Sequence, residues 1–497
     1  MVSMPSGNLI TRAGSPVFLC PRPLPLPLPL PFFSPSSRLV PVSAIMRNAM
    51  TSPREVLPID TLPTAGAVHG KWLALLAAFL GWMFDGLEMG LFPLVARPAL
   101  LDLGLPAERI GSWTSWVIAA FLVGAAAGGV LFGWLGDRIG RVRAMVWSVL
   151  VYSVFSGLCG FAEAPWHLAA LRFIASLGMG GEWSLGVALV MEIWPSASRP
   201  MLAGLIGAAA NVGFLIIALV GLALSRIVGG IEELLRERGV AETTIVYLLG
   251  EGRSGWRILL FLGAAPALLT LVIRVFVPES KRWRAAAERE RPPVLADIFA
   301  PGVVGHTVLG ATLGAIALIG TWGAVQFLPS WADLLARGTS WAGAARSETQ
   351  IASSVGAIAG SLVAGFVADR LSRRTTYFLL SVLSLAACGW LFWTPAAYGL
   401  EFLVSVGIVG LFTASFYGWL PLYLPELFPT RVRATGAGFS FNFGRVLAAG
   451  GALASGAIID AHGEDYSVMG RCIMFVYVLG AAVIWLCPET KGKPLPD

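Results

Sequence analysis

The chain has 497 residues, 56% of them hydrophobic and 13% charged, with a mean hydropathy of +0.75. Soluble domains carry about 25% charged residues, so this composition excludes a water-soluble fold and predicts an all-α integral membrane protein. The net charge of +6 does not call for nucleic acid, because Lys and Arg gather in short connections between apolar runs, where orientation in a bilayer accounts for them.

Residues 1–70 stand apart from the rest: they contain LPLPLPLP (Leu24–Pro31) and no acid before Glu55. Proline at alternate positions forbids a helix, so this is neither a span nor a signal-peptide core. It is expected to be a disordered tail, or to precede a true start at Met46 or Met50; the amphipathic pattern of a transit peptide is missing. Apolar runs of bilayer length follow near 72–96, 111–135, 144–162, 166–191, 201–224, 256–277, 303–331, 349–368, 375–393, 396–424, 433–459 and 470–487, twelve spans in all. The stretch 225–255 then reads as a long connection. Arg138, Arg141 and Arg143, then Lys281, Arg282, Arg284, Arg289 and Arg291, then Arg370, Arg373 and Arg374 fall on the side of both termini, which the positive-inside rule makes cytoplasmic.

The chain repeats itself. GWLGDRIGRVR (Gly133–Arg143) returns as GFVADRLSRR (Gly365–Arg374), EIWPSASR (Glu192–Arg199) as ELFPTRVR (Glu426–Arg433), and PESKRW (Pro278–Trp283) as PETKGK (Pro488–Lys493). Three matches in one order predict a six-helix bundle over 71–277, a cytoplasmic linker over 278–302, a second six-helix bundle over 303–490 and a cytoplasmic tail over 491–497. Parallel halves of this kind place a binding site between them near the bilayer midplane.

The first span carries WMFDGLEMGLF (Trp82–Phe92), with Asp85 and Glu88 three residues apart and so on one helix face. A charge at bilayer depth costs about 2.5–3.5 kcal/mol, so both acids are expected to face protein or a wet cavity, where proton uptake can be coupled to substrate and conformation. Glu182 in the fourth span is expected to join that network. Arg445, with Asn442 three residues before it, places a guanidinium fork in the eleventh span, suited to hold a carboxylate. Asn211, Gln326, Tyr417 and Arg172 are further candidates for substrate contact. Trp82, Trp322 and Trp419 fit stacking on a ring or the interfacial belt, and the belt is the commoner place for Trp. Cys20, Cys159, Cys388, Cys472 and Cys487 are scattered singly, as are His69, His167, His306 and His462, so neither a disulfide framework, a metal site nor a cofactor is expected. No phosphate-binding loop or catalytic cluster points to an ATPase or a membrane enzyme.

With its loop Gly133-Trp-Leu-Gly-Asp137-Arg138-Ile-Gly140-Arg141, the sequence resembles the major facilitator superfamily from Lys71 to Lys493. Within that superfamily FDGLE (Phe84–Glu88), RFIASLGMGGEW (Arg172–Trp183) and FNFGR (Phe441–Arg445) look like the proton-coupled symporters of aromatic acids, sialic acid and other organic metabolites, with Glu88 where that branch has Asp. PESKRW and PETKG also occur in sugar porters, yet LIGTWGAVQFLPSW (Leu318–Trp331) lacks their paired glutamines and asparagine. The resemblance implies alternating access, with gating by Gly133, Asp137, Arg138, Gly140 and Arg141, by Asp369 and Arg370 in the second copy, and by the pairs Glu192 with Arg199 and Glu426 with Arg433. The expected activity is uptake of a small organic carboxylate with protons by a monomer of the inner (plasma) membrane. A sugar porter, a uniporter or a non-transporting nutrient sensor are the alternatives.

Overall fold

In a computed structural model the described residues are 65–193, 199–266, 268, 295–394, 397–429, 432–493 and 496. Regular structure among them is helical. The first half runs α1 (Ala65–Asp102), α2 (Ile110–Ile139), α3 (Arg141–Leu158), α4 (Pro165–Ile193), α5 (Arg199–Glu237), α6 (Glu242–Leu249) and α7 (Trp256–Leu262). The second runs α8 (Val304–Gly323), α9 (Leu328–Leu335), α10 (Ala345–Arg370), α11 (Arg373–Trp393), α12 (Leu400–Glu426), α13 (Arg433–Ala461), α14 (Tyr466–Ile473) and α15 (Val476–Val483). Ten stretches among the described residues are long and apolar enough to cross a bilayer. The 29-residue α4 stands at the place of the expected fourth span, and α7 covers the described start of the expected sixth.

Lipid supplies no hydrophobic drive between helices, so close van der Waals approach holds them together. Both halves use the same device on their second and fourth spans. A methyl group on Gly180 of α4 would come within 1.9 Å of the Ala125 carbonyl of α2, and one on Gly360 of α10 within 1.9 Å of the Leu411 carbonyl of α12. The halves meet along two seams, α2 against α13 and α5 against α10.

Three features depart from the sequence reading. The seventh span is broken, α8 ending at Gly323 and α9 starting at Leu328 after a tight turn at Val325–Phe327. The freed Gly323 carbonyl accepts a bond from Ser455 Oγ at 2.7 Å, which is how a membrane helix tolerates such a break. The stretch 225–255 is no loop: α5 continues to Glu237 and α6 follows, because EELLRERG is rich in helix formers and pairs Glu232 with Arg236 one turn on. Arg253 ties the two helices by bonding Glu232 at 3.0 Å and Glu242 at 2.9 Å. The repeated motif turns differently in its two copies. Gly140 takes φ +106°, a conformation that needs glycine, whereas Ser372 is extended and its hydroxyl caps α11 by accepting from the Thr375 N–H at 3.0 Å.

Candidate functional site

Between the halves lies a cavity with about 930 Å³ of space not filled by atoms, its mouth included. Aromatic side chains from both halves form much of its wall, among them Trp82, Phe121, Phe214, Trp322, Tyr417 and Phe441. Trp82 and Trp322 therefore sit inside, and Trp419 is fully buried against Tyr377 and Tyr423, so the belt expected for these three is overturned. An indole buried between packed helices gains more contact than it keeps at an interface. Trp116, Trp147 and Trp390 occupy the exposed surface instead.

The cavity's one charged lining side chain among the described residues is Arg445. It is 4% exposed, donates to Asn442 Oδ1 at 3.0 Å and lies 5.1 Å from the Phe441 ring. Asn442 itself is turned from the lining toward Gly129 of α2, so it orients Arg445 rather than facing the space. Asn211, Gln326 and Tyr417 all line the cavity. Gln326 does so because the α8–α9 break turns it inward. Gln350, Thr321, Thr413 and Ser354 join them; sequence reading passed these over because hydroxyl and amide residues are scattered through every span.

The two acids of the first span part company. Glu88 is fully buried within its own half, where its Oε1 accepts from Ser156 Oγ of α3 at 2.6 Å and pairs with Arg172 of α4. The Glu88 Oε2 has no hydrogen-bond partner among the described residues. Asp85, equally buried, lies within electrostatic reach of Arg445 across the seam. Positions three apart on a helix differ by about 60° in direction, and here that difference straddles the boundary between halves, so neither acid lines the cavity itself. Arg172 does not line it either. Its guanidinium is committed to Glu88 and stacks 4.9 Å from the Phe121 ring, whose other side is cavity wall and lies 5.3 Å from Trp322.

At the face carrying the α1–α2 connection, here the far face, charges join the halves. Arg97 of α1, 1% exposed, pairs with Glu464 beyond α13 and with Asp333 of α9 at 3.5 Å; Asp333 also holds Arg346 of α10 at 3.1 Å. Ser112 of α2 donates its backbone N–H to Asp460 of α13 at 3.0 Å. This rim has no repeated motif to reveal it, and its members are far apart in sequence.

On the opposite face Glu426 is paired, but with Arg373 of α11 rather than with Arg433: two bonds of 2.9 Å form a fork, and Thr490 adds a third at 2.6 Å. Arg433 donates to the carbonyls of Pro425 and Pro496. Glu489 caps α11 through the N–H groups of Arg373 and Arg374. Asp369 and Arg370 are exposed, the latter stacked 4.1 Å from Phe366. A methyl on Gly133 would meet nothing within 4 Å among the described residues. The side chains of Asp137, Arg138, Arg141, Glu182, Glu192 and Arg199 lie outside the described residues, as do linker residues 278–294.

A cavity between two like halves, closed at one face by ion pairs among the described residues, is the architecture of a transporter that works by alternating access. The sequence profile of the major facilitator superfamily matches residues 72–452, and the chain belongs to that family. It is 27% identical to the cis,cis-muconate transport protein of Acinetobacter baylyi over 436 residues, 84% of this chain and 95% of that one. It is 26% identical to the sialic acid transporter NanX of Escherichia coli over 426 residues, 83% of this chain and 92% of that one. Among solved structures, the proton:xylose symporter XylE superimposes with a TM-score of 0.65 at 19% identity, covering 86% of this chain and 98% of its own, a likeness of fold.

Proposed function

We propose that the protein is a proton-coupled symporter of a small organic carboxylate, working as a monomer by alternating access. One observation carries this reading: Arg445 is the single charge on an otherwise aromatic and hydroxyl-bearing cavity wall among the described residues. A fixed guanidinium in a low-dielectric cavity attracts one carboxylate and offers it a two-point bond, while the rings accept a flat or conjugated body. That the muconate and sialic acid transporters, both named for acids, are relatives supports the same class.

Protons enter through the carboxylates behind the wall. Glu88 shares Arg172 and Ser156, so protonating it frees a buried guanidinium that presses on Phe121 and hence on the cavity. Asp85 faces Arg445 across the seam, so a bound carboxylate and Asp85 compete for one cation. Filling the cavity with an anion thereby favours protonation of Asp85, and the neutralised seam is free to rock. The charged motifs on the face of the α2–α3 connection, with Glu426 and Arg373 at their centre, hold that face in the opposite state. Their excess of arginine supports a cytoplasmic setting for that face and for both termini in an inner membrane.

The test is proteoliposomes loaded with a pH dye and challenged with a panel of mono- and dicarboxylates and sugars. Proton entry driven by a carboxylate is the expected result. Equilibration of a sugar with no proton movement would replace the reading with that of a facilitator.

A further inference from the structure

Gln350 belongs both to the cavity wall and to the seal above it. It lies on α10 of the second half, one turn from the rim residue Arg346 and one turn from Ser354 of the wall, so these three share a helix face. Its side chain is 4% exposed. The amide Nε2 donates across the seam to two main-chain carbonyls of the first half, Gly90 of α1 at 3.1 Å and Phe214 of α5 at 3.3 Å. Both hydrogens of the amide are thus given to the opposite half. A methyl on Gly90 would stand 2.8 Å from the Gln350 nitrogen, and also 2.8 Å from Ile217 Cγ2 and 3.0 Å from the Phe214 ring of α5, so this glycine admits both the amide and the neighbouring helix.

We propose that Gln350 is the positioning residue that links cavity occupancy to closure of the far face. Rocking the halves apart must break both of its bonds, because the acceptors leave with α1 and α5. The released amide then turns its two donors to the cavity, where an oxygen of the bound substrate takes them. Closure hands those donors back to Gly90 and Phe214, which aligns the face of α10 that carries Arg346 with Asp333 and Arg97. The ion pairs of the rim give the seal its strength, and Gln350 times it. The proposal concerns the closing step alone and does not depend on which compound is carried.

Its test uses spin labels at Glu108→Cys and Ser340→Cys, both exposed and one on each half at the far face, in a background with Cys20 and Cys472 replaced by serine. Distance distributions by double electron–electron resonance in nanodiscs report the far-open population. Gln350→Leu removes the donors at similar size, and Gly90→Ala disturbs the same bonds from the other half. Each is expected to raise the far-open share roughly tenfold, the effect of losing one or two neutral hydrogen bonds, while Val355→Ala, on the exposed side of the same helix, leaves it unchanged. Should Gln350→Leu fail to yield a monodisperse protein, Gln350→Met, which also lacks the donors, decides in its place. Unchanged distances in the folded variants, with or without loss of transport, overturn the proposal, since Gln350 is then at most a substrate contact. Failure of every carboxylate to drive proton entry would sink the symport reading without moving these distances.

Discussion

Glu88 and Arg172 form an ion pair sealed inside the first half, with the carboxylate fully buried and the guanidinium 2% exposed. A pair this dry is poor evidence for stability, because desolvating both charges offsets most of their attraction. Under the proposed symport, the pair is where a change of charge would be felt by Phe121 and the cavity wall. Glu88→Gln is expected to abolish uphill accumulation while leaving counterflow exchange measurable. It should also lower thermal stability, since removing one partner of a buried pair costs about 3–5 kcal/mol. Full accumulation in the Gln variant would remove Glu88 from the coupling path.

Asp85 lies within electrostatic reach of Arg445 across the seam, so under the proposed coupling its replacement has a different signature. With Asp85→Asn the cation loses its resident competitor. We expect carboxylate binding to tighten several-fold by calorimetry in detergent while proton-driven accumulation is lost. Weaker binding would mean that Asp85 contacts the substrate or holds Arg445 in place.

Arg445→Gln is expected to weaken a carboxylate by 10- to 100-fold, roughly the loss of a charge-assisted hydrogen bond of 1.5–3 kcal/mol, and to spare the corresponding neutral amide. Competition of both compounds against a labelled substrate measures the difference. Equal losses for acid and amide would make Arg445 a structural cation.

The far-face rim rests on Arg97, which bonds both Glu464 and Asp333. Arg97→Met should let a membrane-impermeant thiol reagent reach Ser347→Cys, 5% exposed behind the rim, at least tenfold faster than in the parent protein. An unchanged rate would show that packing alone closes this face.

Glu489 makes a stability prediction that depends on pH. Burial acts to raise its proton affinity, but the N–H groups of Lys491, Arg374 and Arg373 outweigh it and hold the carboxyl below its ordinary value of 4.5. A depressed carboxylate adds stability that is present above the unfolded value and is lost as pH falls through the folded one. Against Glu489→Gln, the parent should therefore melt about 1 °C higher at pH 7, an order of magnitude set by a helix cap of about 1 kcal/mol spread over a chain of this size. The gap should close as pH drops below 4.5. A difference that persists at pH 3 would assign the effect to packing of the side chain.

The chain by itself determined the elements that depend on local or repeated pattern. Bilayer-length runs predict the spans, and three duplicated motifs predict two like halves, because a helix in lipid must satisfy its own backbone and leaves its length in the sequence. Arg445, Gln326, Asn211 and Tyr417 were legible as candidates since a polar group at bilayer depth is costly enough to need a reason. What the tertiary structure alone decided is partnership. Asp85 and Glu88 look equivalent in WMFDGLEMGLF, and only the tertiary placement of Ser156, Arg172 and Arg445 gives one an arginine of its own half and sets the other within reach of Arg445. Glu426 takes Arg373 over the regularly spaced Arg433, and Arg97, Asp333, Arg346 and Glu464 meet from four separate stretches. Ion pairs and side-chain bonds form between groups that share a place, and distance along the chain carries no record of that.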